Sequence, residues 1–254
     1  MSHDHYVQKA YLKRFLRKRE QQLLVYEKKK GSYDCVPHNP DKVFEKSNYY
    51  PKGLETKILG ECLEPKGLKG FDKIILGSAT EEDIAFAYTY IEIQYYGVPK
   101  NSSDFLDQIW LRLSPNKETY EKGSKRSLYP VGLLYENIGM LTNMLLQCNC
   151  FIYSIPEDED HSFITSDNPT CLPGFHPLHF DSCISNNVFF PVDRNHALRF
   201  IPSNERCKPL LISSSKEEIM WINALTVDNA HEKIVGRSKK DINEALKYFT
   251  SKNI

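Results

Sequence analysis

The pattern of apolar residues changes character near Asn149, and that change limits the fold more than any other feature of the chain. Before it, apolar side chains recur at helical spacing. Tyr11-Leu12 and Phe15-Leu16 are separated by Lys and Arg, Ile84, Tyr88, Ile91 and Tyr95 form a stripe, and Phe105 to Leu113 and Val131 to Leu146 continue the series. After it come short runs bounded by turn residues: Cys150 to Ile155, Phe163 to Thr165, Asn187 to Val192, Ala197 to Ile201 and Leu210 to Ser213. Two helical stripes close the chain, one with Ile219, Ile222 and Leu225, the other with Ile242, Leu246 and Phe249. Helices segregated from an antiparallel sheet make an α+β protein. The expected architecture is a helix-rich N-terminal half packed on a small antiparallel sheet with C-terminal helices. With 254 residues the chain can bury one full core. It is read as a single domain, residues 1–147 mainly helical and residues 148–254 strand-rich with two terminal helices.

Local signals sharpen this outline. Thr80 with Asp83 has the form of a capping box, and Gly97 and Pro99 end the helix it opens. Ser214 with Glu217 and Ser238 with Asp241 are read as caps of the last two helices. Leu54 to Leu63 fits a short helix closed by Pro65, and Leu23 to Tyr26 a strand ended by the lysines before Gly31. Residues 33–53, with Pro37, Pro40 and Pro51, read as a long irregular connection pinned by Tyr49-Tyr50. Asp193-Arg194-Asn195 is the turn of a hairpin, and Pro191 confines its strand to an edge.

Charge is balanced overall, 33 basic against 33 acidic residues, so global electrostatics predict no partner. Its distribution is uneven: residues 1–30 hold nine Lys or Arg against three acidic residues. Such a segment either grips phosphates or forms a solvated helix face, and a run this short favours the second. Seven cysteines without any CxxC pair give no zinc ribbon or disulfide framework, so reduced thiols in a cytoplasmic protein are expected. No signal-peptide core and no apolar run of membrane-spanning length stands in the sequence, so no membrane partner is expected.

The residues with most chemical potential lie in Phe163-Ile164-Thr165-Ser166-Asp167-Asn168-Pro169, where a strand-like run ends in a hydroxyl, a carboxylate and a carboxamide before proline. Asp167 at a strand end suits metal binding or general-base work, although Asp and Asn in turns bond to their own backbone as a rule. His5 titrates near neutral pH and suits acid–base work or ligation. With Glu55, Glu61 and Asp167 it would make an oxygen-rich site for Mg²⁺ or Mn²⁺, the setting of metal-assisted phosphodiester hydrolysis, if folding brought these scattered residues together. Ser166 with Asp167 and His231 is a weaker hydrolase arrangement, lacking a GxSxG elbow. Asn223, inside an apolar stripe, needs a buried partner; the turn's backbone would serve, and substrate contact is the minority alternative. Lys13, Arg14 and Arg17 could hold phosphates, while loop roles suffice for His176, His179 and His196.

The opening His5-Tyr6-Val7, with Tyr11-Leu12 and Phe15, resembles the HYVP-x-x-YL-x-x-F start of the bacterial DUF4238 family. The likeness continues through Leu24-Val25-Tyr26, Tyr49-Tyr50 and the acidic residues Glu55 and Glu61. It resumes at the Thr165–Pro169 turn, at Phe190-Pro191-Val192, and at Asn223 with Ala230. Two departures stand out: Gln8 replaces the family's proline, and Gly97-Val98-Pro99 stands where relatives often carry Arg before Thr-Pro. The resemblance implies one continuous fold and names no chemistry. The expectation is therefore twofold. One is a bacterial, cytoplasmic, metal-assisted hydrolase or nuclease acting on a phosphodiester or nucleotide in a defence setting. In it His5, Glu55 and Asp167 would be catalytic, and Lys13, Arg14, Ser166, Asn168 and Asn223 would hold substrate. The alternative is a non-catalytic module binding protein or nucleic acid. An enzyme needs these landmarks to converge in one cleft; a binding module leaves them apart and individually satisfied.

Overall fold

A computed structural model describes residues 3–17, 19–30, 34–47, 59–61, 63–98, 139–156, 159–172, 187–205 and 207–252. Near the N-terminus are strand β1 (His3–His5), helix α1 (Lys9–Lys13), strands β2 (Leu23–Glu27), β3 (Cys35–His38) and β4 (Glu45–Ser47), and helices α2 (Glu64–Ile75) and α3 (Glu81–Gly97). Beyond them lie α4 (Met140–Leu145), β5 (Cys148–Ser154), β6 (Thr165–Ser166), β7 (Val188–Pro191), β8 (His196–Pro202), β9 (Leu210–Ser213), α5 (Lys216–Asn229), β10 (Lys233–Gly236) and α6 (Lys239–Lys252). The protein is α+β. In place of a single small sheet, the described residues form two four-stranded sheets, β3-β2-β10-β6 and β7-β8-β5-β9, and the two-stranded pair β1-β4. Every strand pair is antiparallel except β5 with β9.

The β7-β8-β5-β9 sheet is covered on both faces, and period-two alternation divides its side chains. Cys150, Ile152, Val188, Phe190, Leu198 and Phe200 face the core shared with α1 to α4. Tyr153, Phe189 and Ala197 turn the other way, onto Ile219, Ile222 and Leu225 of α5. Helix α5 also sends Val227 into a further core, with Tyr26 of β2, Ile234 of β10 and Ile242 and Ala245 of α6. One helix is thus shared by two cores, which is why its apolar residues surround it rather than forming one stripe.

Several local expectations differ from the structure. Pro65 opens a helix rather than closing one: it lies in the first turn of α2, where its missing N–H costs nothing. Residues 33–53 hold two strands, β3 and β4, and Pro37 is accommodated because β3 is an edge. Tyr49-Tyr50 and Phe105 to Leu113 lie outside the described residues, as does the helix expected from Val131 until Gly139. Phe163 and Ile164 are buried but unpaired as strand; only Thr165 and Ser166 pair, and with β10 rather than β5. Helix α5 is capped one residue later than expected. Ser215 Oγ accepts the Glu218 N–H, and the Glu218 carboxylate accepts the Ser215 N–H and hydroxyl. The caps at Thr80/Asp83 and Ser238/Asp241, the β7–β8 hairpin and the edge position of β7 follow the sequence signals.

Candidate functional site

The Thr165–Pro169 turn connects several elements, and each of its polar groups has a backbone to hold. Asp167 is almost fully buried, and its carboxylate accepts three N–H groups from the segment joining α5 to β10: His231 at 2.8 Å, Glu232 at 2.7 Å and Lys233 at 3.1 Å. Burial pushes this carboxyl above the usual range, while the three N–H bonds and the nearby His231 act in the opposite direction. Ser166 Oγ accepts the Asn168 N–H and donates to the Asn168 carbonyl, closing the turn on itself. Asn168 and Asn229 tie the turn to the C-terminus of α5. The Asn168 carboxamide donates to the Asn229 carbonyl, and Asn229 donates to the carbonyls of Asn168 and Thr170. Thr170 reaches across to the Ile91 carbonyl of α3. Asn223 secures the approach, accepting the Ile164 N–H and donating to the Ser162 carbonyl, the buried backbone partner its position requires.

One residue unsuspected from the sequence links this turn to the N-terminus. The Tyr11 hydroxyl, fully buried, donates to the Pro191 carbonyl at 2.7 Å and lies 2.9 Å from Thr165 Oγ1. Its ring contacts Phe15 and Phe190, and Phe190 stacks on Phe71 of α2. The opening motif, the turn and Phe190-Pro191-Val192 therefore meet at a phenol, and burial holds that phenol neutral by raising its pKa well above the ordinary value.

His5 and Asp167 have separate partners. His5, on β1, bonds through Nε2 to the Asp41 carbonyl at 3.0 Å. Glu61 is exposed, and Glu55 lies outside the described residues. Among the described residues, no group of three or more His, Cys, Asp or Glu side chains is placed to hold a metal ion. Three backbone donors already occupy Asp167, so the described residues do not form the Mg²⁺ or Mn²⁺ ligand set expected of them. His231 meets Asp167 through its backbone N–H, and Ser166 is engaged within the turn.

The family model described as "Protein of unknown function (DUF4238)" matches residues 94–240, more than half of the chain. The chain belongs to this family. No curated protein and no solved structure matches it significantly. The matched DUF4238 stretch contains the Thr165–Pro169 turn, Asn223 and the segment that Asp167 holds, while Tyr11 reaches in from outside it. No helix among the described residues is long and apolar enough to cross a membrane.

The basic N-terminal segment of this DUF4238 chain is largely compensated. Lys9 pairs with Asp41, Lys29 with Glu232, and Lys28 donates to the Val227 and Ala230 carbonyls at the end of α5. Arg14 is spent on the Val192 carbonyl, Asp72 and Asp193. Lys13 and Arg17 remain, lining an open groove of about 480 Å³ with Leu16, Glu20, Gln21 and Asn39. The five described cysteines are free, and burial pushes the Cys150 and Cys171 thiols up to about 12.

Proposed function

We propose that this DUF4238 protein is a non-catalytic binding module for a phosphate-bearing partner, a nucleic acid or nucleotide. The observation that carries this reading is a division of labour. Ser166, Asp167, Asn168 and Asn223 are engaged in holding backbone, and His5 is bonded to a carbonyl, whereas Lys13 and Arg17 line a solvent-open groove without an ion pair. A surface cation that no carboxylate holds can release counterions from a phosphate chain at little desolvation cost. Gln21 and Asn39, on the same groove, supply neutral donors beside the charges. A bacterial cytoplasm suits the free cysteines.

The test is fluorescence anisotropy with a labelled single-stranded oligonucleotide across a salt series. Lys13→Ala with Arg17→Ala should weaken binding and lower the salt slope by about two, one per lost phosphate contact. An unchanged slope contradicts the groove as the binding face. Cleavage of the probe with Mn²⁺ present would instead favour the competing proposal, a metal-assisted hydrolase in bacterial defence.

A further inference from the structure

Three guanidinium groups from distant parts of the chain share one neighbourhood. Arg17 follows α1, Arg194 sits at the tip of the β7–β8 hairpin, and Arg237 is the first residue after β10. Backbone bonds fix their approach. The Arg194 N–H donates to the Arg14 carbonyl at 3.3 Å, which sets the hairpin tip against the end of α1. The Arg194 carbonyl accepts the Phe163 N–H at 2.8 Å. The preceding residue, Ser162, is bound by Asp241, which also holds Ser238, the neighbour of Arg237.

The electrostatics agree with this placement. Burial disfavours the Arg237 charge, Arg17 and Arg194 add to that, and Asp241 and Glu20 act against it. Arg194 and Arg237 are half-buried, and none of the three side chains has a hydrogen bond or ion pair among the described residues. The two nearby carboxylates have other work. Asp241 is taken by Ser162 and Ser238, and Glu20 accepts the Arg17 N–H at 2.7 Å. Half-buried arginines of like charge, left without partners, raise the energy of the fold unless an anion joins them. Guanidinium is the side chain best shaped to receive phosphate oxygens in pairs.

We infer that Arg17, Arg194 and Arg237 form a site for a phosphate monoester, the terminal phosphate of a nucleotide or of a nucleic-acid end; this deepens the binding function proposed above and rests on it. A monoester fits three converging cations better than a diester because it carries more charge on more free oxygens. Arg17 also lines the groove, so a chain bound there would bring its end to this cluster.

The site is tested apart from the groove with inorganic phosphate. Thermal unfolding is followed in phosphate and in chloride of equal ionic strength, for the native chain and for Arg194→Gln and Arg237→Gln. Phosphate should raise the melting temperature of the native chain, and each variant should lose that response. In chloride Arg237→Gln should melt no lower than the native chain, because the substitution removes a half-buried like charge. If Arg237→Gln does not fold, Arg194→Gln carries the test, since that residue's structural bonds run through its backbone. An equal phosphate response in native and variant chains overturns the site. A second arm compares a 5′-phosphorylated oligonucleotide, its 5′-hydroxyl twin and a nucleoside monophosphate. The phosphorylated strand should bind about tenfold tighter than its twin, the worth of one charge-assisted hydrogen bond, and Arg194→Gln should erase the difference. A monophosphate binding as tightly as the phosphorylated strand assigns the site to free nucleotide. Equal binding of the two strands overturns the terminal-phosphate assignment while leaving the groove intact. A phosphate response without any oligonucleotide binding sinks the groove and keeps the site.

Discussion

At the residue scale, carboxylates in this protein mainly collect backbone N–H groups. Asp167 takes three; buried Glu92 takes those of Gly139, Leu141 and Thr142 and so caps α4. Asp193 takes those of Asn195 and His196 and adds the His196 ring and Arg14. Burial alone would raise the Asp193 carboxyl, but His196, Arg14 and the Asn195 N–H outweigh it, and the net displacement is downward. A carboxyl whose folded pKa is depressed contributes stability above its unfolded value, about 3.9, and loses it as pH falls through the folded value. Urea stability should therefore decline from about pH 5 downward, and Asp193→Asn should flatten that decline while costing stability at pH 7. A variant whose acid limb matches the native one would assign the limb to other groups. Asp167 was legible as a residue to watch, since a Ser-Asp-Asn-Pro run marks a turn. Which backbone it holds was not legible, because its partners lie more than sixty residues downstream.

At the element scale, the informative contact is between α2 and α3. A Cβ at Gly70 would lie 2.4 Å from the Asp83 carbonyl and 3.1 Å from the Ala87 Cβ, and one at Gly67 would lie 2.5 Å from the Tyr90 Cβ. Two glycines on one helix let its backbone rest directly on its neighbour. Gly70→Ala should thus destabilise by about 1–3 kcal/mol through overpacking, against the roughly 1 kcal/mol that alanine adds in an exposed helix. Equilibrium denaturation checks the sign, and a gain in stability would show the helices free to separate. The glycines stand in plain view in the sequence, yet their use depends on a partner helix that no local pattern reveals. Helix α2 was itself missed because Pro65 was taken as a stop. The capping box of α3 was legible in advance because both its halves lie within four residues. Strand β10 carried no isolated signal: only four residues long, it is defined by pairing with β2 and β6.

At the scale of the whole molecule, the landmarks that mark the family are joints. Tyr11 brings the N-terminus to Thr165 and Pro191, Thr170 reaches α3, Asn168 and Asn229 link the turn to α5, and Asp167 fixes the start of β10. The α+β class was readable because it depends on local periodicity. The convergence of Arg17, Arg194 and Arg237 was not, because it arises only where three separate segments are bonded together. The central claim is that Asp167 is a staple, and that binding belongs to the basic surface instead. Urea denaturation of Asp167→Asn, with oligonucleotide binding measured on the same folded sample, tests it most directly. An amide can replace at most part of a carboxylate that accepts three N–H groups, so the account predicts a stability loss of about 2–3 kcal/mol with affinity unchanged. Undiminished stability accompanied by lost binding or lost Mn²⁺-dependent cleavage would contradict it.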